Sequence, residues 1–385
     1  MKVRVADKIM DTLVGLGIDT CFGVVGGGAM FLDDALRKCE GMRKVFNHHE
    51  QASAMAAEGY ARLCGRPALV CVTCGPGATN TLTGVMGAWE DSIPMVVVSG
   101  QVRYPVSVPE SGLDLRYRGI QEYQVIPAVK HMTKYAVSIT DPKEVVKEIH
   151  KAYNIAMDGR RGPIWIEVPQ DMQSAMVEED EFYPAEPYSS DIPLPDPGML
   201  KGAAGLLADA KRPCILTGSG VRSSGLMDEF YEFIEAAGIP FVGAAWVSDS
   251  GYDEHPLYYG LSGNIGPRTG NFILQNADVI LVLGNSLGYR QTGFNNSGFA
   301  PNARIIMVDA CEDEARKPGL NIHTFIHCDL KRFFEAFKQA GCRIEADEKW
   351  MDYCNGLKKR FTAFEGAEGK SPDEAVSSYV FWKEF

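Results

Sequence analysis

Residues 47–80 read NHHEQASAMAAEGYARLCGRPALVCVTCGPGATN, and this stretch decides the fold. The letters VFNHHE predict a short strand that ends at Glu50, and the letters after it predict a helix, because small and apolar residues recur there with helical spacing. Gly65 and Pro67 end that helix. PALVCVT then predicts a buried strand, and Gly75-Pro76-Gly77 a turn into the next helix. Continuous apolar strands alternating with helices are typical of a parallel sheet covered on both faces.

The same alternation continues along the chain, whose 385 residues are too many for one ordinary domain. The predicted fold class is therefore α/β, with two doubly wound, mainly parallel-sheet domains. We place the first domain at residues 1–177, a Pro-rich linker at 178–198 and a central α/β domain at 199–345. In the remaining region, 346–385, Ser371, Pro372 and Asp373 have the pattern of a helix start. We therefore expect that region to be a linker and the beginning of a further domain.

Composition excludes several classes of function. The formal charge of −12 argues against nucleic acid or an anionic membrane as the main partner. No apolar run reaches the roughly 18 residues of a membrane span, and the opening MKVRVADKIM lacks the apolar core of a signal peptide. The ten cysteines are scattered rather than framed, which is typical of reduced thiols. We expect a cytoplasmic protein.

Several polar or glycine-rich positions fall where predicted strands end. Glu50 is placed at the sheet edge where ligands bind in open α/β folds, although a helix-start residue would look the same. Gly26-Gly27-Gly28 follows a strand and would let a ligand approach the backbone closely. The turn at 75–80 either cradles a phosphate or only reverses the chain, and Gly218-Ser219-Gly220 is equally ambiguous. Asp309 could bind a ribose hydroxyl or cap its own turn.

Taken together, three motifs carry a resemblance. HHEQASAMAAEGYAR at 48–62, CGPGATN at 74–80 and DSIPMVVVSGQ at 91–101 resemble the pyrimidine-binding domain of thiamine-diphosphate enzymes, and the acetolactate synthase group in particular. FGVVGGGAMF resembles the family's FGxPGG segment, with Val25 in place of the usual proline, and GIQEY at 119–123 resembles its FQE-type stretch. GSGV, HPLYYGLSG, ADVILVLGNS and RQTGF resemble successive parts of the family's central domain.

The resemblance implies roles for individual residues. Glu50 is expected to hydrogen-bond the pyrimidine N1′ of thiamine diphosphate, and Gln121 to lie on the substrate side, so these two are the expected catalytic residues. The expected cofactor-binding residues are Gly26, Gly27, Gly75, Pro76, Gly77 and Asn80. His48 and His49 are interpreted as partly buried structural histidines, with a proton relay as the alternative.

Two cofactor questions follow from motifs that differ or are absent. The family's Gly-Asp-Gly motif, which holds Mg²⁺ and the diphosphate in a third domain, does not occur in this sequence. We therefore expect no metal ligand in this chain, and either an N-terminal fragment or one half of a split enzyme. FAD is a further candidate cofactor of the central domain, but Ala310 and Cys311 stand where an acidic residue usually follows Asp309.

The resemblance implies a thiamine-diphosphate-dependent lyase or transferase. Such an enzyme decarboxylates a 2-oxo acid and transfers the two-carbon unit, works as a homodimer or tetramer, and here would need a third domain or a partner chain. The alternatives are a 2-oxo-acid decarboxylase of the same family and a non-catalytic remnant that only binds a ligand. An NAD-dependent oxidoreductase is disfavoured because the GxGxxG pattern is absent.

Overall fold

The computed structural model describes residues 1–248, 250–340, 344, 346–361 and 381. It divides the chain into two compact units, Met1–Ser190 and a second that begins at Asp191. The predicted helix start at Ser371, Pro372 and Asp373 lies outside the described residues, as does most of the predicted linker at 346–385. Within the described ranges, no helix is long and apolar enough to cross a membrane.

The first unit contains a parallel sheet of six strands in the order β3-β2-β4-β5-β7-β6. The first and last strands of the unit, β1 and β8, form a separate antiparallel pair. The strands are β1 Lys2–Arg4, β2 Thr20–Gly23, β3 Arg43–Phe46, β4 Leu69–Val72, β5 Met95–Gln101, β6 Tyr135–Ser138, β7 Pro163–Pro169 and β8 Met176–Glu178.

Helices cover both faces of this sheet, because alternate strand residues point into two separate cores. Val96 and Val98 of β5 belong to the core that includes α1, α2 and α8. Met95 and Val97 belong to the opposite core, with α3, α5 and α7. The helices are α1 Val5–Gly15, α2 Met30–Lys38, α3 Glu50–Cys64, α4 Pro76–Asn80, α5 Leu82–Glu90, α6 Val108–Ser111, α7 Val125–Val129, α8 Val145–Met157 and α9 Gln170–Ser174.

The opening stretch folds largely as predicted, with two differences. The strand before Glu50 ends at Phe46, four residues earlier than expected, and Glu50 is already the first residue of α3. The apolar face predicted for α3, which includes Met55 and Leu63, is its outward face, and those two side chains are 45% and 78% exposed. The buried face consists of the smaller residues Ser53, Ala54, Ala57 and Ala61, which allow α3 to lie close to its neighbours.

The second unit contains another parallel sheet of six strands, in the order β11-β10-β9-β12-β13-β14. Its strands are β9 Pro213–Thr217, β10 Phe241–Gly243, β11 Tyr258–Leu261, β12 Val279–Leu283, β13 Arg304–Asp309 and β14 Ile322–His327. Its helices are α10 Pro197–Ala208, α11 Ser219–Ser223, α12 Met227–Ala237, α13 Arg268–Asn276, α14 Tyr289–Thr292, α15 Leu330–Ala340 and α16 Glu348–Arg360. Two cores again lie on opposite faces of the sheet. The fold class is therefore the predicted one: two mainly parallel, doubly wound α/β sheets.

Candidate functional site

The strand order of the first sheet defines a crevice between β2 and β4. From β2 the chain moves to β3 on one side and then returns to form β4 on the other side. Open α/β sheets bind ligands at the carboxyl ends of the strands where the order reverses in this way. The turn at Gly26–Gly28 follows β2, and the turn at 73–77 follows β4, so both glycine turns border that crevice.

Glu50 begins the helix that connects β3 to β4, and its side chain is half-buried. Its Oε2 accepts a hydrogen bond of 2.9 Å from Nδ2 of Asn80. The structure therefore brings together two predicted site residues. The other carboxylate oxygen of Glu50, Oε1, has no hydrogen-bond donor among the described residues. It lies 3.4 Å from where a Cβ on Gly77 would be.

The two histidines before Glu50 were expected to be partly buried, and this prediction is wrong. His48 and His49 are both exposed. His49 is the N-cap of α3, and its Nδ1 accepts a hydrogen bond of 3.1 Å from the backbone N–H of Gln51. His49 therefore has a structural role as a helix cap, but an exposed one.

Thr73, which follows β4, packs against glycines of both turns. A Cβ built on Gly26 would lie 2.5 Å from Thr73 Cβ, and one built on Gly77 would lie 2.5 Å from Thr73 Cγ2. The hydroxyl of Thr73 also accepts a hydrogen bond of 2.8 Å from the backbone N–H of Gly28. Glycine is therefore required at both positions for close packing. Sequence reasoning missed Thr73, although a polar residue that ends an apolar strand was a visible signal.

Side chains outside the motif hold the Gly26–Gly28 turn. Asp33 Oδ2 accepts from the N–H of Gly26 at 3.1 Å. From α9, Gln170 donates to the carbonyl of Gly27 at 2.7 Å and Gln173 donates to that of Gly28 at 2.8 Å. Burial raises the pKa of Asp33 to about 6, and the bond from Gly26 opposes that shift. The backbone of the turn is thus fixed before any ligand binds.

Gly75, in the turn after β4, packs against the backbone of Gln121. Gly75 has φ +55° and ψ −118°, and a Cβ there would lie 2.1 Å from the carbonyl oxygen of Gln121. Pro76, which is exposed, follows as the first residue of α4. Gln121 has a φ of +58°, which is uncommon for a residue other than glycine, and its side chain is exposed.

Glu122, which sequence reasoning passed over, organises the turn around Gln121. It is 6% exposed, and its carboxylate accepts from the backbone N–H groups of Val108, Arg118 and Gly119 at 2.6, 2.8 and 2.9 Å. Burial raises its pKa, but these three hydrogen bonds outweigh burial and leave the pKa below its ordinary value. Glu122 is therefore a structural carboxylate next to the exposed Gln121.

Glycines also pack closely at the carboxyl edge of the second sheet. A Cβ on Gly218 would lie 2.1 Å from the carbonyl oxygen of Gly284, so this turn needs glycine for contact with its own neighbouring strand. Asp309 Oδ1 accepts from the N–H of Cys311 at 2.8 Å, which is a capping contact. Asn285 Nδ2 and Gln291 Oε1 are buried without a hydrogen-bond partner in the described part of the chain.

The fold and the first site define the chain as a doubly wound α/β protein with one carboxylate at the crevice of its first sheet. Family comparison identifies the class further. Residues 3–118 match the thiamine pyrophosphate enzyme N-terminal TPP-binding domain, and residues 200–337 match the central domain of the same enzymes. The chain belongs to the thiamine pyrophosphate enzyme family, of which it carries these two domains, as its motifs predicted.

Similar proteins include the acetolactate synthase large subunit of Corynebacterium glutamicum, 32% identical over 92% of this chain and 56% of the relative. The large subunit of acetolactate synthase isozyme 2 from Escherichia coli is 30% identical over 92% of this chain and 61% of its own length. The chloroplastic acetolactate synthase of Arabidopsis thaliana is 30% identical over 92% and 52%. The chain thus spans between half and two thirds of the length of these relatives.

Proposed function

We propose that this chain forms the pyrimidine-binding half of an active site that decarboxylates a 2-oxo acid and transfers the two-carbon unit, as in acetolactate synthesis. The observation that carries the proposal is the pairing of Glu50 with Asn80 at the crevice of the first sheet. One carboxylate oxygen is fixed by Asn80, and the other has no donor among the described residues. Family membership and the names of the relatives support the reaction class.

The residues present fit thiamine diphosphate. Oε1 of Glu50 is a hydrogen-bond acceptor beside Gly77, where the absence of a side chain leaves space. In this proposal Glu50 holds a proton at the pyrimidine N1′, and Asn80 keeps its carboxylate in one orientation. The walls of the proposed cofactor site are formed by Gly26, Gly27, Gly75, Pro76 and Gly77. When bound, the cofactor supplies the electron sink for decarboxylation.

Gln121 is proposed to contact the 2-oxo acid. It is exposed at the rim of the same crevice, against Gly75. The diphosphate and Mg²⁺ are proposed to bind a third domain or a partner chain, because this sequence has no Gly-Asp-Gly and Mg²⁺ with a diphosphate needs carboxylate and carbonyl oxygens at short range.

A second copy of the chain is proposed to cover the outward face of α3. That face and the neighbouring α5 expose Met55, Leu63, Met86 and Trp89. Large exposed apolar side chains on two neighbouring helices are typical of an interaction surface. A homodimer, or a tetramer built from dimers, would bury them beside the site.

The test is replacement of Glu50 by glutamine in the enzyme reassembled with its diphosphate-binding domain. We expect turnover of pyruvate to fall by about 10²–10⁴, because general acid–base catalysis contributes that factor. Glu58→Gln is the matched control, since Glu58 lies on the same helix but pairs with Arg62 at the surface. Unchanged turnover in Glu50→Gln would remove Glu50 from the mechanism.

Product analysis separates the reaction classes. Acetolactate from pyruvate supports carboligation, whereas free acetaldehyde supports the alternative of a plain decarboxylase. Cofactor binding without any turnover in the reassembled protein would support the non-catalytic remnant.

FAD is retained as a second candidate cofactor, in the second unit. The observation that favours it is the pair of buried polar atoms without partners, Asn285 Nδ2 and Gln291 Oε1, at the carboxyl edge of that sheet. Such atoms need a ligand or water to complete their hydrogen bonds. Flavin absorbance in the purified protein tests this directly, and a colourless protein that retains no flavin after incubation with FAD and removal of the free flavin would exclude it.

A cytoplasmic location is also proposed. The cysteines in the described part of the chain are free thiols, as expected in a reducing compartment. Localisation of the tagged full-length protein by fluorescence microscopy tests this.

A further inference from the structure

Glu167 is a buried carboxyl group for which the proposed chemistry has no use. It lies on β7, one of the inner strands, and is 5% exposed. Its neighbours across the sheet are Ser99 on β5 and Ser138 on β6. A buried carboxyl at the carboxyl half of an inner strand needs such partners, since burying it alone is costly.

The main partner of Glu167 is Gln101, the last residue of β5, which is 4% exposed. Nε2 of Gln101 donates to Glu167 Oε1 and to the carbonyl of Tyr123, each at 2.9 Å. Its Oε1 accepts from the N–H of Val102, also at 2.9 Å. Both amide hydrogens are therefore used, and the amide cannot flip without leaving one of these groups unpaired.

This arrangement connects Glu167 to the turn that carries Gln121. Gln101 holds the carbonyl of Tyr123 on one side of Gln121, and Glu122 holds the backbone N–H of Gly119 on the other. Gln121 itself has a φ of +58°. A residue in such a conformation persists only where its surroundings impose it, and these two contacts hold the backbone on either side of it.

We propose that Glu167 is a positioning residue that, through Gln101, fixes the turn Gly119–Tyr123, and that its protonation state sets how firmly the turn is held. The effect on the turn does not depend on the function proposed above; only a consequence for turnover, through Gln121, rests on it.

The electrostatics give the direction of the pH dependence. Burial raises the pKa of Glu167 to about 7, against the hydrogen bond from Gln101, and the charge of Glu122 raises it further. The titratable groups that face it are Glu122 from the turn and Cys74 after β4. Below about pH 7 Glu167 is neutral; above it, Gln101 donates to an ionised carboxylate, which strengthens the bond, and the repulsion from Glu122 is the smaller effect. The turn is therefore held more firmly above about pH 7 and loosens as the pH falls.

Hydrogen–deuterium exchange of the 385-residue chain tests this, at about pH 6 and about pH 8 and corrected for intrinsic exchange rates. We expect segment 104–124 to exchange about tenfold more slowly at the higher pH, as one unit of pKa would give. Glu167→Gln keeps the shape and hydrogen bonds but stays neutral, so its segment should exchange at both pH values as the wild type does at about pH 6.

Two further variants sharpen the test. Glu148→Gln is the matched control. Glu148 is also a buried carboxyl, 9% exposed, but it accepts a hydrogen bond from Tyr135 at the amino-terminal end of β6. This variant should leave the wild-type pH dependence intact. Gln101→Leu breaks the connection and should give fast exchange at both pH values. A pH-independent segment in the wild type, or a pH dependence that survives in Glu167→Gln, would overturn the proposal. Since exchange needs no turnover, failure of the proposed function would leave this result unchanged.

Discussion

Asn80 and Glu50 lie 30 residues apart in the sequence and are joined by a hydrogen bond of 2.9 Å. The bond connects the end of α4 to the beginning of α3, so the carboxylate is held from a different helix from the one that carries it. A hydrogen bond to a charged group contributes about 1.5–3 kcal/mol. The pair therefore fixes one oxygen of Glu50, and the other lies beside Gly77.

Asn80→Ala should lower the turnover of the reassembled enzyme by roughly ten- to a hundredfold, because Glu50 loses the donor that orients it. Steady-state kinetics with pyruvate measures this. Asn47→Ala is the control, since Asn47 also donates to a side chain of α3, the Ser53 hydroxyl, at 3.1 Å, but does not touch Glu50. Equal losses of turnover in both variants would mean that Asn80 acts only through the stability of α3.

Gly75→Ala should destabilise the chain by more than about 2 kcal/mol, since an L-residue is strained at this positive φ and its Cβ would overlap the Gln121 carbonyl. Urea denaturation measures the free energy of unfolding. Gly65→Ala is the control: Gly65 has φ +69° but open space around its Cβ, so we expect a loss of only about 1 kcal/mol. Similar losses at both positions would show that the contact with Gln121 contributes little.

Asp33→Asn should change how stability depends on pH. The pKa of Asp33 is raised by burial to about 6 in the folded protein, above the value of about 3.9 in an unfolded chain. The folded state therefore binds the proton more tightly, and this stabilisation is complete below about pH 4 and lost as the pH rises through about 6. The wild type minus Asp33→Asn difference in unfolding free energy should fall over that range.

Asp34→Asn provides a control of opposite sign for the same measurement. Hydrogen bonds from Lys38 and Arg4 hold the pKa of Asp34 below its ordinary value, so its contribution is present at neutral pH and is lost on acidification. If both variants changed the pH profile in the same direction, the burial of Asp33 would not be the cause of the change seen in Asp33→Asn.

Met55→Glu should dissociate the proposed dimer, because it places a charge in the centre of an apolar surface that a second copy would bury. Sedimentation velocity of the chain measures the oligomer. Leu194→Glu is the control, since Leu194 is 74% exposed but belongs to the Pro-rich stretch at the start of the second unit. An unchanged sedimentation coefficient in Met55→Glu would place the interface elsewhere.

Much of the fold could be predicted from local sequence. Apolar strands such as MVVVSGQ and VILVL, and glycines such as Gly65 at a helix end, appear where the periodicity placed them. The orientation of α3 could not be predicted, because small residues and large apolar residues both fit a buried face, and only packing against the sheet selects Ala54 and Ala57. The exposure of His48 and His49 was also missed, because burial depends on tertiary packing and not on a local pattern.

The candidate site was predicted in part. Motifs named Glu50, Asn80 and Gly75, but Thr73, Asp33, Glu122 and Glu167 were not singled out. Each of these four acts on residues remote in sequence or on backbone groups, as in the bond from Gly28 to Thr73, which spans 45 residues. Such contacts leave no periodic signal, so they could not be found from spacing alone.

The sequence by itself determined the alternation of strand and helix, the glycine turns and the family, because these depend on hydrophobic periodicity and on short motifs. Tertiary structure decided which polar groups share the crevice. The parallel pairing of β2 with β3 and β4 brings their carboxyl ends to one edge, and only there do Glu50, Asn80 and Thr73 become neighbours. Hydrogen-bond distance is a property of the folded backbone, and no local pattern encodes it.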